Sequence, residues 1–296
     1  MSESLPTDGA DGSDAAQVFP AACPLDCPDA CSLEVRVEGG RVTKVGASLL
    51  NPLTQGFLCG KVARFADHLY APERLLYPGL RRGGKGEGRF ERLSWDDALG
   101  LVTEKVGEVR ARHRGRWGER AAEAILPVSY GGSNGLLTQD TTDQRLFARL
   151  GASRLARTVC AAPSRVAAQG LYGRMAGVAL HDFVHARLIV LWGVNPSASG
   201  IHLVPILQEA QRRGAQLVVI DPRRTQLAKR ANLHLAPRPG TDVALALAVI
   251  RWLFANGAAD LRFLADHAVG AEELRRRAEP WTAERAAAVT GLAAGE

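Results

Sequence analysis

A pattern of alternating apolar and polar residues near the N-terminus, followed in the second half by buried runs separated by helical stripes, predicts a multidomain α/β protein. Three observations set this class. The chain has 296 residues, enough for two or three packed units at roughly 150 residues per domain. Leu33, Val35 and Val37 alternate with polar residues, Gly39-Gly40 supplies a turn that tolerates positive φ, and Val42 and Val45 resume the pattern, so a small β-rich unit comes first. From Ala186 onward, ARLIVLW, HLVPILQEAQRRG and AQLVVID read as buried strand, helix and buried strand, the alternation of a parallel sheet with right-handed crossovers. The expected division is a tail over 1–18, a β-rich unit over 19–78, a mixed α/β unit over 79–150 and a Rossmann-like unit over 151–296.

Apolar residues make up 46% and charged residues 23%, which excludes a disordered chain and a fibre. The net charge of +6 rests on 37 cations, of which five are Lys and 32 are Arg. Arginine forks match phosphate oxygens, so anionic ligands are expected. Nucleic acid is not expected, because no basic run is interleaved with aromatics, which are only 6% of the chain. The first twenty residues, MSESLPTDGADGSDAAQVFP, are small, polar and acidic and read as a disordered tail, not a signal peptide. The most apolar segment, Val243 to Phe254, is short and broken by Arg251, so no membrane segment is expected and the protein is placed in the cytoplasm. In that reducing compartment five cysteines read as metal ligands, catalytic groups or core residues, not disulfides.

Four of them form the pattern C-x3-C-x3-C-x27-C, at Cys23, Cys27, Cys31 and Cys59. Structural zinc usually takes two C-x2-C knuckles around one ion. Three ligands from one segment and a fourth from afar suit a [4Fe-4S] cubane, with zinc as the alternative. Pro24 and Pro28 keep the loop out of regular helix, and the hairpin between the third and fourth cysteines can bring Cys59 back. Lys61, two positions beyond Cys59, is either a surface lysine or a fixed positive charge beside an electron carrier.

Farther along, Ser94 as N-cap and Asp97 as its partner open a helix with apolar residues at 95, 98, 99, 102, 106 and 109, read as a scaffold helix. Ala124 to Ser129 reads as a buried strand running into a glycine-rich turn that contains Gly132 and Asn134, followed by helix around Leu136 to Leu150. The fifth cysteine, Cys160, precedes a helix of small residues and is read either as core or as a ligand. In parallel sheets ligands sit beyond the carboxyl ends of the strands, where Gly193, Asn195, Asp221, Arg223 and Arg224 fall. The first turn, G-V-N-P, lacks G-x-G-x-x-G and argues against a nicotinamide enzyme. RPGTDVALALAVIRWLFANG gives a loop with Gly240, Thr241 as N-cap, Asp242 at the dipole-favoured first turn, an apolar helix and Gly257 as its stop.

Taken in order, CPLDCPDAC, GFLCGK, YAPERLLYPG, GEGRFERLSWDDAL, SYGGSNG, LWGVNPSAS, VVIDPRRT and RPGTD resemble the molybdenum (or tungsten) bis-pterin guanine dinucleotide oxidoreductases, from about Phe19 onward. That family includes formate dehydrogenases, nitrate reductases and sulfur-oxyanion reductases. The resemblance implies that Cys23, Cys27, Cys31 and Cys59 ligate a [4Fe-4S] cluster, that Lys61 lies on the electron path between cluster and pterin, and that Cys160 ligates molybdenum, with Ser164 as a displaced alternative. It implies cofactor contacts at Gly132, Asn134, Gly193, Asn195, Asp221, Arg223, Arg224 and Gly240, and guanine recognition by Asp242. The three-residue first cysteine gap is closer to the sulfur-compound reductases, and Ala161 stands where formate dehydrogenases carry a His after the ligand. The implied activity is two-electron chemistry at molybdenum on a small oxyanion or small organic substrate, with electrons passing through the cluster to an unidentified partner protein. Family catalytic subunits are longer, so an N-terminal piece, a truncated frame or a split subunit is expected; the alternative is a non-catalytic iron–sulfur electron-transfer or binding subunit without a stable molybdenum cofactor.

Overall fold

The computed structural model describes residues 15–129, 141–159, 161–175 and 177–295, and the fold divides into two compact units, Met1–Ala176 and Gly177–Glu296.

In the first unit, β1 (Gln17–Ala22), β2 (Ser32–Glu38) and β3 (Arg41–Ala47) form an antiparallel sheet in the order β1-β2-β3. The β2–β3 hairpin is the one the alternation predicts: Gly39 and Gly40 turn at φ 53° and 73°, a pair of conformations that glycine adopts without steric cost. Leu33 and Val45 point from it into a small core that also holds Cys31 and Val62. The tail reading is corrected at its end. Gln17 pairs with Val37 and Ala22 with Ser32, so residues 17–20 belong to an edge strand, exposed along its whole length. An edge position tolerates Pro20, which has no N–H to give to a ladder.

A 3₁₀ turn at Val62–Arg64 leads into the short α1 (Phe65–Leu69), then the two-stranded β4 (Gly79–Arg81) and β5 (Phe90–Arg92). α2 (Trp95–Trp117) starts as expected: Ser94 Oγ accepts from the Asp97 backbone N–H at 3.1 Å and donates to the Asp97 carboxylate at 2.6 Å. Its stripe, however, contains no fully buried residue among those described: Ala98, Val106 and Val109 are half-buried, while Trp95, Leu99 and Val102 are exposed. The buried strand expected at Ala124 to Ser129 is absent. Gly118–Ala124 is 3₁₀, and residues 125–129 are irregular: Ile125 N–H donates back to the Ala122 carbonyl and the Ile125 carbonyl accepts from Ser153 N–H, which is no ladder, and Pro127 removes a donor that a ladder would need. α3 (Thr142–Leu150) and α4 (Ala161–Tyr172) complete the unit.

The second unit is a parallel sheet, β6 (Leu188–Trp192), β7 (Gln216–Ile220) and β8 (Leu233–Leu235), in the order β6-β7-β8. α5 (Leu203–Arg212) crosses between β6 and β7 and covers one face, where Ile189, Leu191, Leu207, Leu217 and Val219 form the main core. Burial of each such side chain contributes about 1.5–3 kcal/mol. α6 (Asp242–Ala255) packs on the other face, its Leu245 against Ile220 and Leu235, with α7 (Leu261–His267), α8 (Ala271–Ala278) and α9 (Ala283–Thr290) beyond it. β6 is buried on one face only: Leu188, Val190 and Trp192 are exposed, because the α6 contact lies over β7 and β8.

Candidate functional site

The cysteine loop between β1 and β2 is non-helical and closed on itself. Cys23 N–H donates to the Cys31 carbonyl at 2.9 Å, and Ala30, at φ 43°, donates to the Cys27 carbonyl at 3.4 Å. The fourth cysteine returns by a separate device. Asn51 Oδ1 accepts from the backbone N–H groups of Leu53 and Thr54, and its amide donates to Ser32 Oγ on β2 at 3.1 Å. That side chain folds the loop after β3 back on the sheet, and the chain then passes Gln55 and Gly56, both at positive φ, to reach Cys59. Cys59 takes a bond from Ala63 N–H at 3.1 Å as the 3₁₀ turn begins.

The four thiols therefore converge. Cys23 and Cys59 pack against the core that buries Cys31, and Cys23, Cys27 and Cys59 all act electrostatically on Cys31. Burial pushes the Cys31 thiol up from 9.0 to about 11, and the Asp29 carboxylate and the three other cysteines push the same way. Three half-buried thiols gathered around a buried one form a donor set for a cation-bearing centre, since metal–thiolate bonds take the deprotonated form. No disulfide links them, and the donor set fits an iron–sulfur cluster. Lys61, at the N-cap of the 3₁₀ turn, is exposed.

In the second unit the predicted residues gather on one rim, beyond the carboxyl ends of the strands. Gly193, at φ 65°, ends β6 and donates to the Ile220 carbonyl at 2.8 Å. Asn195 anchors the next turn through its carbonyl, which accepts from Ala198 and Ser199, while its side-chain oxygen is buried with no hydrogen-bond partner among the described residues. An orphaned buried acceptor at this place fits a ligand that brings a donor. Asp221 follows β7 and folds the next turn by accepting from Arg223 N–H at 2.7 Å. Arg223 and Arg224 are exposed and make no ion pair among the described residues. Gly240, at φ 83°, turns the chain into α6. Thr241 stands at the N-cap as expected but does not cap: its hydroxyl donates back to the Arg238 carbonyl at 2.6 Å. Asp242 opens the helix and accepts from Trp192 Nε1–H at 2.7 Å.

Gly132, Asn134 and Cys160 lie outside the described residues. Ser164, the displaced alternative to Cys160, is exposed on α4. Two features escape sequence reasoning. One is the Trp192–Asp242 bond, which joins residues fifty positions apart. The other is a cavity of about 450 Å³ in the first unit, lined among others by Ser129, Asp143, Phe147, Arg154 and Arg157.

The molybdopterin oxidoreductase Fe4S4 domain model matches residues 16–71, and the molybdopterin oxidoreductase model matches residues 74–287. The chain is 35% identical over 275 residues to "Probable oxidoreductase YoaE" of Bacillus subtilis, covering 93% of this chain and 39% of that protein. It is 28% identical to the assimilatory nitrate reductase catalytic subunit of the same organism, covering 89% of this chain and 36% of that one. Among solved structures it resembles acetylene hydratase from Pelobacter acetylenicus, at 27% identity and a TM-score of 0.65 over 93% of this chain and 37% of that one. The chain thus spans less than two fifths of the length of each. No helix among the described residues is long and apolar enough to cross a membrane. With the cysteine centre in its Fe4S4 domain and the strand-end rim in the larger matched region, the chain belongs to the molybdopterin oxidoreductase family, whose cofactors are a [4Fe-4S] cluster and a molybdenum or tungsten pterin.

Proposed function

We propose that this chain holds the cofactors of an oxidoreductase that works by two-electron chemistry on a small oxyanion or small organic substrate. When bound, a bis-molybdopterin guanine dinucleotide with molybdenum or tungsten supplies the two-electron step, and the [4Fe-4S] cluster supplies single-electron transfer. The residue roles divide between the units. Cys23, Cys27, Cys31 and Cys59 hold the cluster as thiolates, and Lys61, two residues past the last ligand, provides a fixed positive charge on the electron path. Cys160 is the protein ligand to the metal, a soft thiolate that suits molybdenum. On the rim, Gly193 and Gly240 let backbone approach the cofactor, Asn195 offers its orphaned oxygen to a donor, and Arg223 and Arg224 clamp phosphate. Asp221 keeps the Arg223 turn folded, and Asp242 accepts from the N1 and N2 donors of guanine. Gly132 and Asn134 add cofactor contacts. The boundaries at 78 and 150 between cluster, middle and dinucleotide domains belong to the same proposal, with the cluster domain opening at β1, Gln17.

The observation that carries this reading is the convergence of four cysteines from two loops on one small core. The substrate class, the electron partner and a cytoplasmic location are proposed with it. Its test is molybdenum, tungsten and GMP released by acid hydrolysis from anaerobically purified wild type and Cys160→Ala, together with turnover coupled to a redox dye. Metal and GMP in the wild type, metal loss but retained iron in Cys160→Ala, and dye reduction or oxidation are expected. Iron and sulfide without pterin would leave an electron relay. Turnover without net electron flow, the kind of reaction named for acetylene hydratase, would overturn the two-electron assignment.

A further inference from the structure

Trp192 closes β6, and its indole lies on the sheet face that the α5 core does not use. Its neighbours on that face, Leu188 and Val190, are 59% and 45% exposed, and Trp192 itself is 36% exposed. So core packing alone gives little reason for the largest side chain at this position. The polar edge of the ring, in contrast, is fully used: Nε1–H donates to Asp242 Oδ1 at 2.7 Å, a short charge-assisted bond. Asp242 is the first residue of α6, a 14-residue helix in which Val243 is exposed, Ala244 is buried and Leu245 packs against Ile220 and Leu235 of the sheet. The backbone of Asp242 is thereby held, and the indole fixes the remaining side-chain rotation. The second carboxylate oxygen takes no hydrogen bond among the described residues.

We infer that Trp192 is a positioning residue for guanine recognition: its N–H occupies one oxygen of Asp242 and aims the other at the base. The inference rests on the proposed role of Asp242. Indole N–H is a donor only, so it cannot itself serve the N1 and N2 donors of guanine, and any selectivity it confers must pass through the carboxylate. A carboxylate discriminates guanine from adenine because guanine offers two adjacent donors, N1–H and N2–H2, where adenine sets an N1 acceptor beside its N6 donor, and a carboxylate free to rotate away discriminates poorly.

The experiment is equilibrium binding of GDP and ADP to the cofactor-free 296-residue chain, for wild type, Trp192→Phe, Asp242→Asn and the double variant, with circular dichroism to verify the fold of each. Phe keeps the ring and removes the donor. Wild type is expected to prefer GDP. Trp192→Phe is expected to weaken GDP by roughly tenfold with ADP unchanged, the scale of a misaligned hydrogen bond to a charged group. In the Asp242→Asn background the same change is expected to have no further effect. A merely structural indole would weaken both nucleotides equally, or add fully to Asp242→Asn, and either result overturns the inference. Loss of GDP preference in Asp242→Asn with Trp192→Phe indistinguishable from wild type overturns the role of Trp192 and leaves that of Asp242 standing. Absence of GDP preference in the wild type, or its survival in Asp242→Asn, overturns the reading of Asp242 and this inference with it.

Discussion

Metal-free, reduced protein is expected to lose stability as the pH rises from 9 to 11, and the loss traces to Cys31. Its thiol is raised from 9.0 to about 11, first by burial and then by Asp29, Cys23, Cys27 and Cys59. Between those two values the unfolded chain has released a proton that the folded chain keeps, so the unfolded state binds fewer protons and stability must fall as pH increases. Below pH 9 the contribution is fully present; above 11 it is gone. Two pH units at roughly 1.4 kcal/mol each give a loss of about 3 kcal/mol. Other groups ionise in the same range, so the quantity to measure is a difference: urea unfolding followed by circular dichroism for wild type and Cys31→Ala across the window. The wild-type advantage should shrink by that amount on going up in pH. A difference that stays constant from below 9 to above 11 would refute the burial and the thiol cluster on which the shift depends.

Asn51→Ala removes three hydrogen bonds that fold the Cys59 loop, two from backbone N–H groups and one to Ser32. A destabilisation of about 2 kcal/mol in urea and reduced iron per chain are expected, with unchanged iron as the contrary result. Leu207→Ala empties the centre of the second unit, where Leu207 is 0% exposed, and should cost about 2–5 kcal/mol by chemical denaturation. Ser94→Ala strips the cap from α2 and should cost about 1 kcal/mol in the same assay.

How much of this was legible in the sequence follows from the range of the forces involved. The β2–β3 hairpin could be read because its signals are local: a period of two and a glycine pair that turns at positive φ. The β6–α5–β7 unit could be read for the same reason, from apolar runs broken at Gly193 and Gly214. β1 could not, since QVFPAA buries nothing and is a strand only because β2 offers an edge. The opposite error occurred at residues 125–129, where an apolar run around Pro127 resembles a strand but has no ladder partner among the described residues. At the site, cysteine spacing singles out Cys23, Cys27, Cys31 and Cys59 as one set of thiols, yet the part played by Asn51 in returning Cys59 is a tertiary fact. The same holds for Thr241, whose hydroxyl turns back to Arg238, and for Trp192 at the end of β6, whose partner is the first residue of α6.

The most direct test of the central claim is iron, acid-labile sulfide and zinc per chain in anaerobically purified wild type and in Cys59→Ala. The account predicts about four irons and four sulfides in the wild type, with an electron paramagnetic resonance signal on reduction, and loss of both iron and sulfide in the variant. Zinc without sulfide in the wild type, or an intact cluster in Cys59→Ala, would contradict it.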